Sequence, residues 1–344
     1  MTPLEDLLLE EFDSLDTGEY AAMLPAKGRP SRLVLLDLPG MVDAAAERAD
    51  EVVVWCDDLR DLAGVDPARV PAGLDASVFQ GADAVWMRLP KSLAALDEYA
   101  ELTANNASPT VRLLAAGRMK DMTFSMNEVL AAHFGHISAS RGRGKSRALR
   151  AWTPFQSETT WPRWKNHADL GVELAAHGHT FAGTKIDPGT RLLLDHVAEI
   201  GTGDIHDLGS GNGVIAVLLA RRKGGASKVS ASDVSASSVA ATRASAKANS
   251  VTIDVAWADG LTHLADDSLD VLVTNPPFHT GIAKDSDPTL AMFEDASRVL
   301  RKGGELWCVY NSHLPWRGAL NASVGPTRVV AQNPKYTLTR TIAR

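Results

Sequence analysis

Cysteine is almost missing from this chain: of 344 residues only Cys56 and Cys308 carry a thiol. Both lie in apolar, strand-like runs without metal-ligand spacing, so buried free thiols in a reducing cytoplasm are expected rather than a disulfide or zinc scaffold. The ten histidines are scattered, and His177 with His179 do not make a metal site by themselves, so no metal is expected. No apolar run approaches the ~20 residues of a membrane span. The opening MTPLEDLLLEEF is acidic and amphipathic, where a secretory signal would carry positive charge, and a cytoplasmic protein with no membrane partner is expected. Low-complexity tracts and long disordered linkers are also missing. So is an excess of positive charge. Lys and Arg number 35 against 42 Asp and Glu, a net charge of −7 that argues against indiscriminate nucleic-acid binding.

What remains describes an ordinary globular protein, with 45% hydrophobic and 22% charged residues. A chain of 344 residues suits two domains of roughly 150 residues each.

The most informative stretch is DVLVTNPPFH, residues 270–279, an apolar strand running straight into Asn-Pro-Pro-Phe. Pro276 and Pro277 have no N–H and a narrow φ range, and they hold the residue before them extended at the strand end. The amide oxygen of Asn275 and the carbonyl of Pro276 can then face one pocket as acceptors, which suits a planar exocyclic amine whose lone pair stays free to attack. Phe278 offers a flat face for a base, a stack worth roughly 1–3 kcal/mol in comparable sites. The alternative is a Pro-Pro turn that merely closes a strand.

Upstream, DIHDLGSGNGVIA (residues 204–216) ends a short strand at Asp207-Leu208 and then places Gly209, Gly211 and Gly213 at alternate positions before an apolar helix. Such glycines let the backbone turn sharply and lie against a ligand, although a plain strand-to-helix turn would use them too. The nicotinamide fingerprint would need its third glycine at position 214, which is Val214. The next strand, residues 228–232, ends in Asp233, about twenty residues beyond the glycines and placed to accept from ribose hydroxyls. A third strand, residues 252–257, leads to Asp259, whose carboxylate could accept from an adenine amine. Asp233 could instead cap the helix near Ser235, and Asp259 could simply start a turn. Four successive strand ends in the right order favour the binding reading.

On these residues, residues 181–344 resemble a class I S-adenosylmethionine-dependent methyltransferase of the small-domain group, most closely the bacterial ribosomal RNA guanine-N2 methyltransferases. The shared segments are DLGSGNG, Asp233, Asp259, NPPFHTG, FAGTKIDPGT (residues 181–190) and GGELWCVYNSHLPW (residues 303–316); Ser210 stands where relatives often carry Cys or Ala. The resemblance implies that Asp207, Gly209, Gly211 and Gly213 line the methionine end of S-adenosylmethionine, with Asp233 on the ribose and Asp259 on the adenine. Asn275, Pro276 and Phe278 would hold the target amine and its ring, while Asp187 and Thr190 belong to a segment that closes over the cofactor.

The N-terminal part alternates strands (residues 32–37, 51–55, 84–88, 110–115) with helical stretches, which implies a second mostly parallel sheet covered on both faces. Its chemistry is not repeated: the first strand leads into LDLPG with only Gly40, and the strand at 84–88 ends in Leu-Pro-Lys. The fold class expected is therefore α/β, two tandem doubly wound Rossmann-like methyltransferase-type domains, the first degenerate. Residues 1–150 would form the degenerate domain, for folding and RNA binding as the resemblance implies; residues 151–180 a basic, aromatic linker; residues 181–344 the catalytic domain. An unrelated α/β domain is the alternative for the first part.

Charge is uneven at the junction. Arg141, Arg143, Lys145, Arg147 and Arg150 crowd RGRGKSRALR, with Arg163 and Lys165 beyond, interleaved with Trp152, Phe155, Trp161 and Trp164. A flexible loop there could drape along a phosphate backbone while aromatics stack on unpaired bases; the bland reading is a solvated loop with tryptophans packed between domains. The expected activity is direct methyl transfer to guanine N2 of ribosomal RNA, free or in a subunit, by a monomer and without an obligatory general base. Adenine N6, a protein glutamine amide and a non-catalytic RNA-binding or ribosome-assembly role are the alternatives.

Overall fold

The computed structural model describes residues 2–14, 29–222, 228–276 and 287–344. Its contacts fall into two compact units, Met1–Trp161 with His177–His179, and Pro162–Ala176 with Thr180–Arg344.

In the first unit α1 (Pro3–Ser14) precedes β1 (Arg32–Leu36), α2 (Val42–Ala46), β2 (Glu51–Trp55), α3 (Ala76–Phe79), β3 (Ala84–Arg88), α4 (Leu93–Asn106), β4 (Arg112–Arg118), α5 (Ser125–Ala131), β5 (Phe134–Ala139) and β6 (Ser146–Pro154). The aliphatic runs of β1, β2 and β3 are buried on both faces, the pattern of a covered parallel sheet. The strand order is β2-β1-β3-β4-β6-β5, parallel through β4 and antiparallel at β6 and β5. Leu4, Leu7, Leu8 and Phe12 recur on one face of α1 and are buried, and Phe12 meets Trp86 edge-on at 5.0 Å.

Two buried carboxylates on α4 gather distant chain. Glu98, 2% exposed, accepts from the Gly178 N–H at 2.6 Å and hydrogen-bonds with His177 Nδ1 at 2.5 Å. Glu101 accepts from the Thr160 N–H at 3.0 Å. A carboxylate this deep is tolerated because its lone pairs are met.

The second unit opens with the hairpin β7 (Arg163–His167) and β8 (Val172–Ala176). It continues through α6 (Pro188–Leu194), β9 (Asp204–Leu208), α7 (Val214–Ala220), β10 (Lys228–Asp233), α8 (Ala236–Ala248), β11 (Asp254–Trp257), β12 (Leu269–Thr274), α9 (Asp287–Val299), β13 (Leu300–Asn311), α10 (Trp316–Ser323), β14 (Thr327–Gln332) and β15 (Tyr336–Ile342). The sheet order is β11-β10-β9-β12-β13-β15-β14, with only β15 and β14 antiparallel to their neighbours. One core joins residues of α6, α7 and α8 to one face of this sheet, through Leu193, Val217, Val239, Ile205 and Val273. A second core joins α9 and α10 to the other face, through Phe293, Leu320, Leu272 and Cys308. The first unit shows the same order with one edge strand fewer, so both are doubly wound α/β sheets of the Rossmann-like kind. The order reverses between β9 and β12, and in such sheets ligands bind outside the carboxyl ends of the strands at that reversal.

The chain does not follow the expected linker at 151–180. Residues up to Pro154 finish β6, and 163–176 form the β7–β8 hairpin. Nor is RGRGKSR a flexible loop. The Arg143 and Ser146 backbones exchange hydrogen bonds of 2.9 and 2.8 Å, and Gly144 and Lys145 both take positive φ, the geometry of a tight hairpin turn. Cys56 and Cys308 are free and buried, and burial pushes both thiols up.

Candidate functional site

The register of β9 against β12 builds the site. Val273 lies opposite Asp207 and Thr274 opposite Leu208, and the Thr274 hydroxyl donates to the Leu208 carbonyl at 2.8 Å. The next residues off these strand ends are Asn275 and Gly209.

Gly209, Gly211 and Gly213 have φ of +74°, +56° and +80°, the left-handed region that disfavours side chains. A Cβ on Gly209 or Gly211 would meet nothing within 4 Å, whereas one on Gly213 would lie 3.0 Å from the Thr242 Cα. The first two therefore present open backbone, and the third lets α7 approach α8. The turn is fixed from below: the Gly209 N–H donates to the Ser232 carbonyl at 2.8 Å, and the Gly211 N–H to Asp233 Oδ2 at 2.9 Å. Asp233 Oδ1 accepts from the Ser235 N–H at 2.9 Å, so this carboxylate ties the glycine turn to the start of α8. The N-cap of α8 is Ser235 itself, whose hydroxyl accepts from Ser238. Asp259 is exposed and its side chain has no partner among the described residues.

Asp207 is fully buried beneath the turn. Oδ2 accepts from the Ala216 N–H of α7 at 3.1 Å and Oδ1 has no partner. Burial pushes its carboxyl up to about 7; the Ala216 N–H pulls it down, and the neighbouring Asp233 charge adds to the rise. A group protonated in the fold and ionised when unfolded subtracts stability as pH climbs. The penalty is absent below the ordinary value of 3.8 and complete above about 7. That span is worth about 4 kcal/mol at most, at ~1.4 kcal/mol per unit. Asp207→Asn is therefore expected to be more stable than the parent at pH 8, with the difference vanishing towards pH 4. Urea unfolding at several pH values reads this directly, and a pH-independent difference would contradict it. His206, next to it on β9, is held near 3 by burial and by His263, and its ring nitrogens meet the Ser230 and Ser232 hydroxyls at 2.9 and 2.8 Å. It is a neutral core residue.

Asn275 is held by two residues from another part of the unit. Its amide nitrogen lies 3.2 Å from Asp187 Oδ2 and 2.9 Å from Thr190 Oγ1. A carboxylate only accepts, so the end of the amide facing Asp187 is the NH2 and the oxygen points the other way. Asp187 is itself anchored as the N-cap of α6, accepting from the Gly189 and Thr190 N–H groups at 2.8 and 3.3 Å. Asp187 and Thr190, expected in a segment that closes over the cofactor, both contact Asn275. The Asn275 oxygen has no partner among the described residues. Pro276 follows it, half-buried. Residues 277–286, Phe278 among them, lie outside the described residues.

One residue of the site escaped the sequence reading. Asn212, between two of the glycines, donates to the Gly183 and Lys185 carbonyls at 2.9 Å each, and so pins the segment leading to Asp187 onto the glycine turn. Its only signal was a side chain with two donors inside a glycine-rich turn.

The basic cluster is divided by the fold. Arg150 is buried on β6 and paired with Glu11 of α1, and Arg143 is paired with Glu10. Arg141 and Lys145 are exposed at the hairpin turn and Arg147 is half-buried on β6. Trp152 and Trp161 are buried, while Phe155 and Trp164 are exposed. Among the described residues no three of His, Cys, Asp or Glu converge to hold a metal, and no helix is long and apolar enough to cross a membrane.

The glycine turn with open space at two of its positions, the orphaned Asp207 oxygen beneath it and the oriented amide beside it fit the donor molecule that the sequence implied. The family model described as methyltransferase small domain matches residues 171–340, and that of the RLMG N-terminal domain matches residues 65–155. The chain is 30% identical over 358 residues to ribosomal RNA large subunit methyltransferase G of Stutzerimonas stutzeri, covering 97% of this chain and 93% of that one. With the protein of the same name from Pseudomonas syringae pv. syringae it shares 31% identity, covering 97% and 94%. Among solved structures, the T. thermophilus 16S rRNA N2 methyltransferase RsmC, in complex with AdoMet and guanosine, superposes with a TM-score of 0.77. That match is at 21% identity and spans 100% of this chain and 92% of that one.

Proposed function

Because the chain belongs to the family of ribosomal RNA large subunit methyltransferase G, we propose that it methylates guanine N2 in large-subunit ribosomal RNA, with S-adenosylmethionine as donor. The observation that carries this reading is the Asn275 amide, its NH2 occupied by Asp187 and Thr190 and its oxygen left as a fixed acceptor one residue beyond the strand beside the glycine turn.

The open turn at Gly209 and Gly211, with Asp207, Asp233 and Asp259, would hold the donor, and Gly213 keeps that turn closed against α8. S-adenosylmethionine supplies a methyl group on a cationic sulfur, an electrophile strong enough that the protein needs no covalent intermediate. The Asn275 oxygen accepts one hydrogen of the target amine and the Pro276 carbonyl is placed in sequence to accept the other, which holds the group and leaves the lone pair free. Positioning supplies most of the acceleration. The guanine must be turned out of its stack to bring the amine there, and Phe278 would carry its ring. As the nitrogen forms its new bond it becomes cationic and acidic, so its proton can leave late to water, and no side chain need act as base. The reaction so drawn needs no metal and a single copy of the chain, and it takes place in the cytoplasm.

The test is incubation of the purified protein with S-adenosylmethionine and unmodified large-subunit RNA, followed by nucleoside mass spectrometry. One added methyl group, on guanine N2, is expected. A methyl on adenine N6, or on a glutamine amide of a protein substrate, would replace this reading by one of its rivals. Failure of the donor to bind in calorimetry would favour a non-catalytic role.

A further inference from the structure

A groove of about 700 Å³ in the first unit is lined by Arg88, Arg118, Lys120 and Lys145, with Met119 and the first residues of α1. No carboxylate among the described residues lines it, although the chain as a whole carries a net charge of −7. None of the four cations has an ion-pair partner among the described residues, in contrast to Arg143 and Arg150 nearby, which are neutralised by Glu10 and Glu11. The four are held by structure. Arg118 ends β4, and the Arg88 Nε donates to the Asp37 carbonyl at 2.8 Å. The Met119 N–H donates to the Lys145 carbonyl at 2.9 Å, which locks the turn carrying Lys120 to the hairpin carrying Lys145.

Met119 also lines a smaller hollow of about 230 Å³ with Phe124 and Arg147. Phe124 is 79% exposed, the most exposed large apolar side chain among the described residues. An aromatic ring this exposed, in a hollow that shares Met119 with the basic groove, is unexplained by packing. On the other side the basic groove shares Arg88 and Arg118 with a crevice lined by Asp37, Asp57, Asp58, Asp61 and Asp121. Those carboxylates repel an anion, so a polyanion is directed away from them, along Lys120 and Lys145 towards Phe124.

We propose that this strip binds an unpaired stretch of RNA, phosphates on Arg118, Lys120 and Lys145 and one base on Phe124. The inference rests on the ribosomal RNA reading above and adds to it the strand type and the surface that receives it. It also moves the phosphate contacts from Arg143 and Arg150 to Arg118 and Lys120, which lie outside the RGRGKSRALR cluster, and keeps Lys145 from within it.

The test uses the full chain and a single-stranded RNA of about a dozen nucleotides, with anisotropy measured across a salt series. Each lost phosphate contact lowers the salt slope by about 0.7 for a single strand. The triple variant Arg118→Gln, Lys120→Gln, Lys145→Asn should thus lose about 2 in slope and bind on the order of 50-fold more weakly near ~0.15 M salt. Phe124→Ala should weaken binding roughly 5- to 150-fold with the slope unchanged, the signature of a lost stack. Both variants should bind S-adenosylmethionine as the parent does, which reports an intact fold. Unchanged affinity and slope in the triple variant, with the parent still methylating RNA, would overturn the groove alone. Equal weakening of a fully paired duplex by Phe124→Ala would overturn the unpaired-strand assignment. A parent that binds RNA through these residues yet never methylates it would sink the enzymatic reading and leave the groove standing.

Discussion

Asn275→Ala is expected to abolish methyl transfer, lowering kcat on the order of 10³-fold, while S-adenosylmethionine affinity changes by no more than about twofold. The side chain supplies the acceptor that holds the target amine, whereas the glycine turn and its carboxylates lie on other segments and are untouched by the truncation. Thr190→Val grades the same effect. It removes the shorter of the two bonds to the amide, 2.9 Å against 3.2 Å for Asp187, so the amide is freed to rotate and present its NH2 where the oxygen is needed. A fall of roughly 10-fold in kcat with little change in KM for RNA is expected, the pattern of a positioning loss; Thr190→Ser should restore the rate. Single-turnover transfer with labelled donor, alongside calorimetric titration, separates these cases. Near-normal turnover by Asn275→Ala would remove the basis for placing the amine there.

Gly211→Val should act in the opposite sense, removing donor affinity by more than about 100-fold with only a modest effect on folding. At φ +56° a side chain costs roughly 1–2 kcal/mol, yet the Cβ enters open space, so the damage falls on whatever occupies that space. Gly213→Ala supplies the contrast: its Cβ meets the Thr242 backbone at 3.0 Å, and thermal stability should fall more than binding does. Calorimetry and thermal unfolding on both variants read the distinction. A Gly211→Val protein that binds the donor normally would mean that the turn faces something else.

Where the sequence was legible, local pattern and strand-end chemistry coincided. The glycine spacing, Asp233 and the Asn-Pro-Pro run each sit at the end of a short apolar strand, and alternation of strands with helices forces those ends to one edge of a parallel sheet. What was missed depended on partners far along the chain. Nothing local says that Arg150 will pair with Glu11, 139 positions away, or that Asp187 and Thr190 will reach Asn275, 88 and 85 positions away. A helix cap and a hydroxyl look self-sufficient until the strand end arrives. The hairpin turn at Gly144-Lys145 was hidden for another reason: arginine density reads as a solvated loop, and a lysine at positive φ gives no compositional sign. The stretch 151–180 likewise lacks long apolar runs, because β7 is exposed along most of its length.

The route of the chain past Glu98 bears on any attempt to take this protein apart. A scission between Trp161 and Pro162, the natural place to divide it, would carry off His177 and Gly178 with the wrong piece. The N-terminal fragment would be left with a negative charge sealed in its interior and no donor to answer it. Such a fragment should be poorly soluble, so its behaviour would misrepresent the intact unit. Because residues 162–176 belong to the other unit, no one cut anywhere returns two complete pieces.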